Sequence, residues 1–279
     1  MKTDALILPA VRRALNGLSK VSPERAGKIA YGLLAKPRRP SFGKEAEDFL
    51  AKANSRSIVS EGKRIAVYNW PGQGPSILML HGWESSTGRW WPYYETFKDR
   101  GFDIHAIDAP AQGASEGTVF SAMAYAAAIG VYVESLEKPP QFWLGHSAGG
   151  MASIYYLCRL KGQIRPEKLL IMGVPSEMQN FVDKFCEIVG LNRIVHAGIE
   201  REFKQAFGFP FSHLSFSQMA EELEMPGLII HDEGDDLAPV EGAKLIHQAW
   251  ENSELMITQG RTHSVLGEDM PGIVADYFV

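Results

Sequence analysis

A serine enclosed by glycines is the first residue of this sequence that could do chemistry. The segment WLGHSAGG places Ser147 between Gly145 and Gly149. A Gly-x-Ser-x-Gly pattern arises by chance in about one chain in ten of this length, so the pattern alone also fits an ordinary glycine-rich turn. Its context is more specific, because an apolar run typical of a strand precedes it and a helix-like run follows it. This context predicts a strained turn in which both glycines leave room and Ser147 is a nucleophile.

A nucleophilic serine needs a histidine as general base. In folds built around such a turn the histidine comes last in chain order, after the serine and the acid, and only His247 and His263 come late enough. His247 lies in a helical run, whereas His263 lies in the loop GRTHS directly after an apolar strand. Because catalytic side chains are concentrated on such loops, His263 is the predicted base.

An orienting carboxylate is expected after the apolar strand over 228–231. The segment DEGDDLAP that follows contains Asp232, Asp235 and Asp236. Each of them could hold the imidazole tautomer and stabilise the imidazolium, and an acidic surface turn is the alternative interpretation. The residue pattern alone leaves the choice among the three open.

Two backbone N–H groups are expected to stabilise the oxyanion that forms on an attacked carbonyl. One is the N–H of Ala148, directly after the nucleophile, where the following helix begins. The other is the N–H of Trp83 in the turn HGW after the first central strand, where Gly82 permits an unusual backbone conformation. Losing one such donor would raise the activation barrier by about 3 kcal/mol.

Apolar strands that alternate with helices must position these residues. After a hairpin over 57–60 and 64–70, six short apolar runs alternate with helical runs. The six runs are 76–80, 102–107, 141–144, 168–172, 227–231 and 254–258. Short, fully apolar strands separated by helices indicate an α/β fold with a mostly parallel sheet covered on both faces.

Two segments lie outside this alternation. Residues 1–55 look helical and are expected to form an N-terminal extension. About fifty residues separate the strand that ends near Val174 from the strand that starts near Gly227, which is too long for a structureless loop. A small helical insertion over about 176–225, a cap or lid, is therefore expected.

With these residues in place, the chain resembles the α/β-hydrolase superfamily of serine hydrolases, in particular its esterase, lysophospholipase and serine aminopeptidase-like members. The resemblance covers residues 55–279 and is carried by the segments LMLHGW, DAPAQGAS, GHSAGG, HDEGDDLAP and GRTHS. Gln112 stands where the family usually has a histidine, and Asp232 stands where it usually has a glycine. The family's register in the acidic segment implies that Asp235 is the acid.

The resemblance implies an α/β-hydrolase domain over 56–279. Such a domain has a mostly parallel eight-stranded sheet with one antiparallel strand, flanked by helices, and a small helical cap inserted after strand 6. The implied catalytic residues are Ser147, Asp235 and His263. Haloalkane dehalogenases and epoxide hydrolases of this fold use an aspartate nucleophile, so Ser147 argues against both.

The expected activity is ester hydrolysis through an acyl-enzyme intermediate. Aromatic residues over 83–94 and the phenylalanines of the insertion favour a carboxylesterase or thioesterase for small to medium apolar acyl groups, with a small-molecule ester or thioester as its partner. Alternatives of the same fold are an aminopeptidase or amidase and a carbon–carbon bond hydrolase. A non-catalytic ligand-binding protein is the alternative from another class. No metal or other cofactor is expected, because His81 and His231 have no partner at ligand spacing.

Composition sets the remaining expectations. The chain has 279 residues, a net charge of −5 and a pI of about 5.9, which gives no reason to expect nucleic acid as a partner. Two cysteines without a CxxC pattern suit a reducing compartment, so a cytoplasmic location is expected. No apolar run approaches the roughly 18 residues of a membrane span, so no stable membrane insertion is expected. The N-terminal 55 residues could form a dimerisation arm, and a homodimer is one expectation for them.

Overall fold

The computed structural model describes residues 4–279, with side chains from residue 8 onward. Its strands form one eight-stranded sheet in the order β1-β2-β4-β3-β5-β6-β7-β8. The strands are β1 (Asn54–Ser60), β2 (Lys63–Trp70), β3 (Ser76–Leu80), β4 (Asp103–Ile107), β5 (Phe142–His146), β6 (Lys168–Met172), β7 (Gly227–Asp232) and β8 (Ser253–Thr258). β2 pairs antiparallel with β1 and β4, and the other neighbouring pairs are parallel. The predicted sheet with one antiparallel strand is confirmed.

Helices connect the strands in the described part of the chain. They are α1 (Asp4–Leu18), α2 (Pro23–Ala35), α3 (Lys44–Ala51), α4 (Trp91–Asp99), α5 (Ala122–Glu134), α6 (Ala148–Cys158), α7 (Met178–Val189), α8 (Arg193–Phe207), α9 (Phe216–Ala220), α10 (Val240–Ala249) and α11 (Met270–Phe278). A short 3-10 helix, Thr87–Trp90, precedes α4. No helix among residues 4–279 is both long and apolar enough to cross a bilayer.

The inner strands of the sheet are almost completely buried. Every residue of β5 and β7 is buried, as are four of the five residues in each of β3, β4 and β6. The edge strands β1 and β8 keep exposed positions. A parallel strand covered by helices on both faces is apolar throughout, which is why the apolar runs of the sequence predict these strands well.

The described chain forms two compact units. One combines the segment that ends at Lys36 with Glu177–Ser215, and it contains α1, α2, α7 and α8. The other combines Pro37–Ser176 with Phe216–Val279, and it contains the sheet and the remaining helices. The sequence predicts an extension over 1–55 and an insertion over about 176–225 as separate parts, whereas most of both segments lies in one helical unit.

Hydrogen bonds join the N-terminal helices to the insertion within the helical unit. Asn16 donates to the carbonyl of Gly190 at 2.9 Å and accepts from the N–H of Asn192 at 2.9 Å. The amide of Asn192 donates to the hydroxyl of Ser19 at 2.9 Å. Four phenylalanines of the insertion pack on one another, Phe203, Phe207, Phe209 and Phe211, with Phe203 stacked on Phe211 at 4.0 Å between ring centroids. Phe203 and Phe211 are buried and form part of the interior of this unit.

Candidate active site

The turn that carries Ser147 forms where β5 ends and α6 begins. Ser147 has φ 49° and ψ −116°, a conformation that costs a residue with a side chain about 1–3 kcal/mol. Its N–H donates to the carbonyl of Met172, at the end of the neighbouring strand β6, at 2.8 Å. This hydrogen bond helps hold the strained turn against the sheet.

The glycines around Ser147 lie where backbones approach too closely for a side chain. A Cβ atom on Gly145 would lie 2.6 Å from Cα of Gly150, and one on Gly149 would lie 2.1 Å from the carbonyl oxygen of Leu80. A Cβ on Gly150 would lie 2.3 Å from a methyl carbon of Val174. Only glycine fits at such distances. The three glycines allow the start of α6 to pack directly on β3, β5 and the end of β6.

Hydrogen bonds connect the three residues proposed as nucleophile, base and acid. Nε2 of His263 lies 3.0 Å from Oγ of Ser147, and Nδ1 lies 2.8 Å from Oδ2 of Asp235. An ionised carboxylate only accepts hydrogen bonds, so Nδ1 carries the imidazole proton and Nε2 can accept the serine proton. This is the tautomer that a general base toward Ser147 requires.

Asp235 is buried and fully engaged by donors. Its Oδ1 accepts from the N–H groups of Leu237 and Ala238, both at 2.9 Å. Its Oδ2 faces His263 and also lies 3.3 Å from Nε2 of His231. Burial acts to raise the pKa of Asp235, but hydrogen bonds from His231 and His263 outweigh it and hold the pKa well below its ordinary value. Asp235 is therefore ionised at neutral pH.

The other two candidate acids do not contact His263. Asp232 accepts from the hydroxyl of Thr258 at 2.9 Å and from the N–H of Arg261 at 2.8 Å. It therefore ties β7 to the loop that carries His263. Asp236 is exposed.

The turn after β3 lies beside the nucleophile. A Cβ on Gly82 would lie 3.2 Å from Cβ of Ser147, so this turn touches the turn that carries Ser147. Trp83 follows directly in the chain. Ala148 is the first residue of α6, where the N–H has no acceptor within the helix. The two segments predicted to supply oxyanion donors are therefore adjacent.

Buried polar residues brace the turn after β3. Nε2 of His81 accepts from the N–H of Ala109 at 2.9 Å, so Nδ1 carries the proton and donates to the carbonyl of Gly82 at 2.8 Å. Oε1 of Gln112, which replaces the family's usual histidine, accepts from the N–H of Ser85 at 3.1 Å. Both side chains therefore hold the turn against the loop that follows β4.

Arg89 and His146 form a buried pair that sequence analysis did not assign to the site. Nη1 of Arg89 lies 2.5 Å from Nδ1 of His146, and Nη2 donates to the carbonyl of Ser264 at 3.0 Å. Nε2 of His146 lies 2.8 Å from the carbonyl oxygen of His263. A guanidinium only donates, so Nδ1 of His146 accepts, and Nε2 carries the proton and donates to His263.

In this pair, the guanidinium of Arg89 carries a charge and the imidazole of His146 is neutral. Both contact the backbone of the loop that carries His263. Burial lowers the pKa of His146 well below its ordinary value, and the charges of Arg89 and His263 lower it further. Burial lowers the pKa of Arg89 to about 10, so the guanidinium stays charged at neutral pH. Two donors thus hold the carbonyls of His263 and Ser264. The sequence offers no local signal for this contact, because Arg89 and His146 are 57 residues apart.

The remaining candidate residues have other partners. His247 lies on α10, and its Nδ1 is 2.8 Å from the hydroxyl of Ser253. His231 donates from Nε2 to the carbonyl of Ala238 at 2.6 Å, and the same N–H also faces Oδ2 of Asp235 at 3.3 Å. Among the described residues, no group of three or more His, Cys, Asp or Glu side chains is arranged to hold a metal ion.

Comparisons with known proteins agree with the fold. A family model described as "alpha/beta hydrolase fold" matches residues 75–170. A monoacylglycerol lipase of Homo sapiens is 25% identical over 249 residues, which is 71% of this chain and 72% of that protein. A bifunctional esterase/perhydrolase of Acinetobacter calcoaceticus is 24% identical over 256 residues, which is 74% of this chain and 91% of that protein.

Solved structures are similar over most of the chain. The esterase Pf2001 of Pyrococcus furiosus superposes with a TM-score of 0.66 at 18% identity, covering 87% of this chain and 95% of that one. The esterase EaEST of Exiguobacterium antarcticum gives a TM-score of 0.63 at 19% identity, covering 79% and 98%. At these identities the likeness establishes the fold.

The sheet order, the turn between β5 and α6 and the matching family model define the class of this protein as an α/β-hydrolase-fold hydrolase. The family model over residues 75–170 and the solved structures of the same fold agree with the resemblance of its motifs to the α/β-hydrolase superfamily.

Proposed function

We propose that this protein is a serine carboxylesterase or thioesterase for small to medium apolar acyl groups. The observation that carries the proposal is the hydrogen-bonded series Ser147–His263–Asp235 at a strained turn. The names of similar proteins support the ester bond as the target, since they include a monoacylglycerol lipase, an esterase/perhydrolase and a pimeloyl-[acyl-carrier protein] methyl ester esterase.

In the proposed reaction, Oγ of Ser147 attacks the carbonyl carbon of the ester while Nε2 of His263 takes the hydroxyl proton. Asp235 stabilises the resulting imidazolium, and the N–H groups of Trp83 and Ala148 donate to the oxyanion. His263 returns the proton to the leaving alcohol or thiol as the acyl-enzyme forms. Water then attacks the acyl-enzyme with the same base, and the free acid leaves.

Only some of the aromatic side chains near the proposed oxyanion turn are accessible to an apolar acyl group. Trp90 and Tyr93 are fully buried in the core beside Phe97, so they are structural. Trp83 and Tyr94 are partly exposed. The proposed preference for apolar acyl groups is therefore supported mainly by the names of the similar proteins. A series of esters with different acyl groups tests it.

Hydrolysis of p-nitrophenyl esters of increasing acyl length tests the proposal. We expect turnover by the wild type and a loss of more than about a thousandfold in Ser147→Ala. Ser57→Ala, at an exposed serine of β1, is the matched control and should keep full activity. A fluorophosphonate probe should label the wild type at Ser147.

Undiminished turnover in Ser147→Ala would refute the proposed nucleophile. Turnover of peptide amides or β-diketones with none of esters would favour the aminopeptidase or carbon–carbon hydrolase alternatives. Failure of the probe to label Ser147, together with no turnover of any substrate, would favour a ligand-binding role.

A cytoplasmic location is proposed as well, and it is supported by two free, buried cysteines, Cys158 and Cys186.

The small-molecule ester or thioester is the proposed partner. Molecular mass in solution tests whether the protein is also a homodimer.

A further inference from the structure

The N-terminal segment carries a charge opposite to that of the rest of the chain. Residues 1–44 contain ten Lys and Arg but only two Asp and Glu, while the remainder contains 18 basic and 31 acidic residues. Such an asymmetry in a protein with a net charge of −5 favours a negatively charged partner for this segment.

Helix α2 presents part of this charge on one outward face. Its buried residues are Ala26, Gly27, Ala30, Leu34 and Ala35. Its exposed residues include Arg25, Lys28, Ile29, Leu33 and, at the C-cap, Lys36. Residues three or four positions apart share a helix face, so these five lie on the face opposite Gly27, which packs on α8.

This face combines cations with exposed aliphatic side chains. Ile29 is 50% exposed and Leu33 is 44% exposed, and Arg25, Lys28 and Lys36 flank them. Within the described part of the chain, none of these three cations forms an ion pair. Glu24, the acidic residue of α2, lies about 120° around the helix from the centre of this face.

We infer that the outward face of α2 docks on the surface of an anionic lipid bilayer. Ile29 and Leu33 would enter the boundary between headgroups and acyl chains, while the flanking cations would remain among the phosphates. Each basic side chain near an anionic surface adds to the attraction. The helix has 13 residues, too few to span a bilayer, so this docking is peripheral.

The chemistry of the face favours a bilayer over the other negatively charged partners. Contacts to nucleic-acid phosphates need cations, but they do not need the two exposed aliphatic side chains that lie on the same face. A second copy of this chain could offer an acidic surface, and the experiment distinguishes that case. The inference is independent of the proposed hydrolase activity, because docking is measured without substrate.

Co-sedimentation of the full chain with lipid vesicles tests the inference. We expect binding to phosphatidylcholine vesicles that contain phosphatidylserine and at least tenfold weaker binding to phosphatidylcholine alone. Added salt should weaken the binding, since it screens the attraction. Arg25→Gln/Lys28→Gln should reduce the partition coefficient at least tenfold, and Ile29→Gln/Leu33→Gln should do so as well. Glutamine is a good helix former, so α2 should persist.

Matched variants of the sheet-containing unit control for nonspecific effects. Lys138→Gln/Lys244→Gln removes two exposed cations, and Leu160→Gln/Leu245→Gln removes two exposed leucines. Both should bind as the wild type does. Equal loss in these controls, binding unchanged in the α2 variants, or no binding to either vesicle would overturn the inference. A doubled mass in solution that the α2 variants abolish, without vesicle binding, would assign the face to a second copy.

Discussion

His146 stands between a buried guanidinium and the backbone of the proposed base. Its ring accepts from Arg89 and donates to the carbonyl of His263, so it fixes the loop on which the imidazole depends. Replacing Arg89 with methionine would remove the donors to His146 and to the carbonyl of Ser264. We expect Arg89→Met to lower kcat about tenfold to a hundredfold with KM nearly unchanged, because small misplacements of catalytic groups are costly and no substrate contact is lost.

The ester assay that gives kcat and KM separately checks this expectation. Arg64→Met is the control, because Arg64 is an exposed cation paired with Glu116. Surface pairs of this kind contribute little, so activity should be kept. An unchanged kcat in Arg89→Met would show that the loop of His263 holds its position without this pair.

Asp235 can be distinguished from its acidic neighbours by isosteric substitution. Asp235→Asn keeps the shape but favours the wrong imidazole tautomer, so we expect kcat to fall by about four orders of magnitude. Asp236→Asn, at the exposed position that directly follows Asp235, should keep full activity. A comparable loss in both variants would mean that charge in this segment matters more than the hydrogen bond to Nδ1.

The lowered pKa of Asp235 also predicts a pH dependence of stability. A carboxyl whose pKa is lower in the folded than in the unfolded state stabilises the fold above its unfolded pKa of about 3.9. That contribution is lost as the pH falls through the folded pKa. The gap in unfolding free energy between wild type and Asp235→Asn should therefore narrow below about pH 4. Urea unfolding at several pH values measures it, and a gap that widens at low pH would contradict the assignment.

At the scale of elements, the crossing of α2 and α8 depends on two glycines. A Cβ on Gly27 would lie 2.5 Å from Cα of Gly198, whereas a Cβ on Gly32 of the same helix would meet no atom within 4 Å. We expect Gly27→Ala to destabilise the protein by about 1–3 kcal/mol through overpacking. Gly32→Ala should stabilise it by about 0.5–1 kcal/mol, because alanine favours a helix. Urea unfolding measures the free energy of unfolding of both variants. Equal changes in the two variants would contradict the close approach of α2 and α8 at Gly27.

At the scale of the whole molecule, the sequence predicts the parts that depend on local patterns. The inner strands are apolar runs bounded by turns, and the turn at Ser147 has its own glycine signature. What the sequence does not reveal depends on contacts between distant segments. Asn16 and Asn192 bond across 176 residues, which joins the N-terminal helices to the insertion. The pairing of Arg89 with His146 likewise leaves no periodic pattern.

The two cysteines report on the two units separately, because Cys158 lies in the sheet-containing unit and Cys186 in the helical unit. Burial raises the pKa of Cys158 to about 12 and that of Cys186 to about 11, so both thiolates are scarce at pH 8. We expect alkylation by iodoacetamide to be slow in the native protein and to require local opening.

Cys186 should react first as urea is raised. It lies on α7 in a unit of helices alone, whereas the thiol of Cys158 donates to the carbonyl of Met219 at 3.2 Å in the unit that contains the eight-stranded sheet. Parts of a protein with few buried contacts open at a lower free energy than its core, which opens near the global unfolding free energy, and the helical unit is the smaller of the two. Mass spectrometry of peptides after brief alkylation measures each site, and Cys186→Ser isolates the rate of Cys158. Simultaneous reaction of both thiols would show that the two units unfold as one.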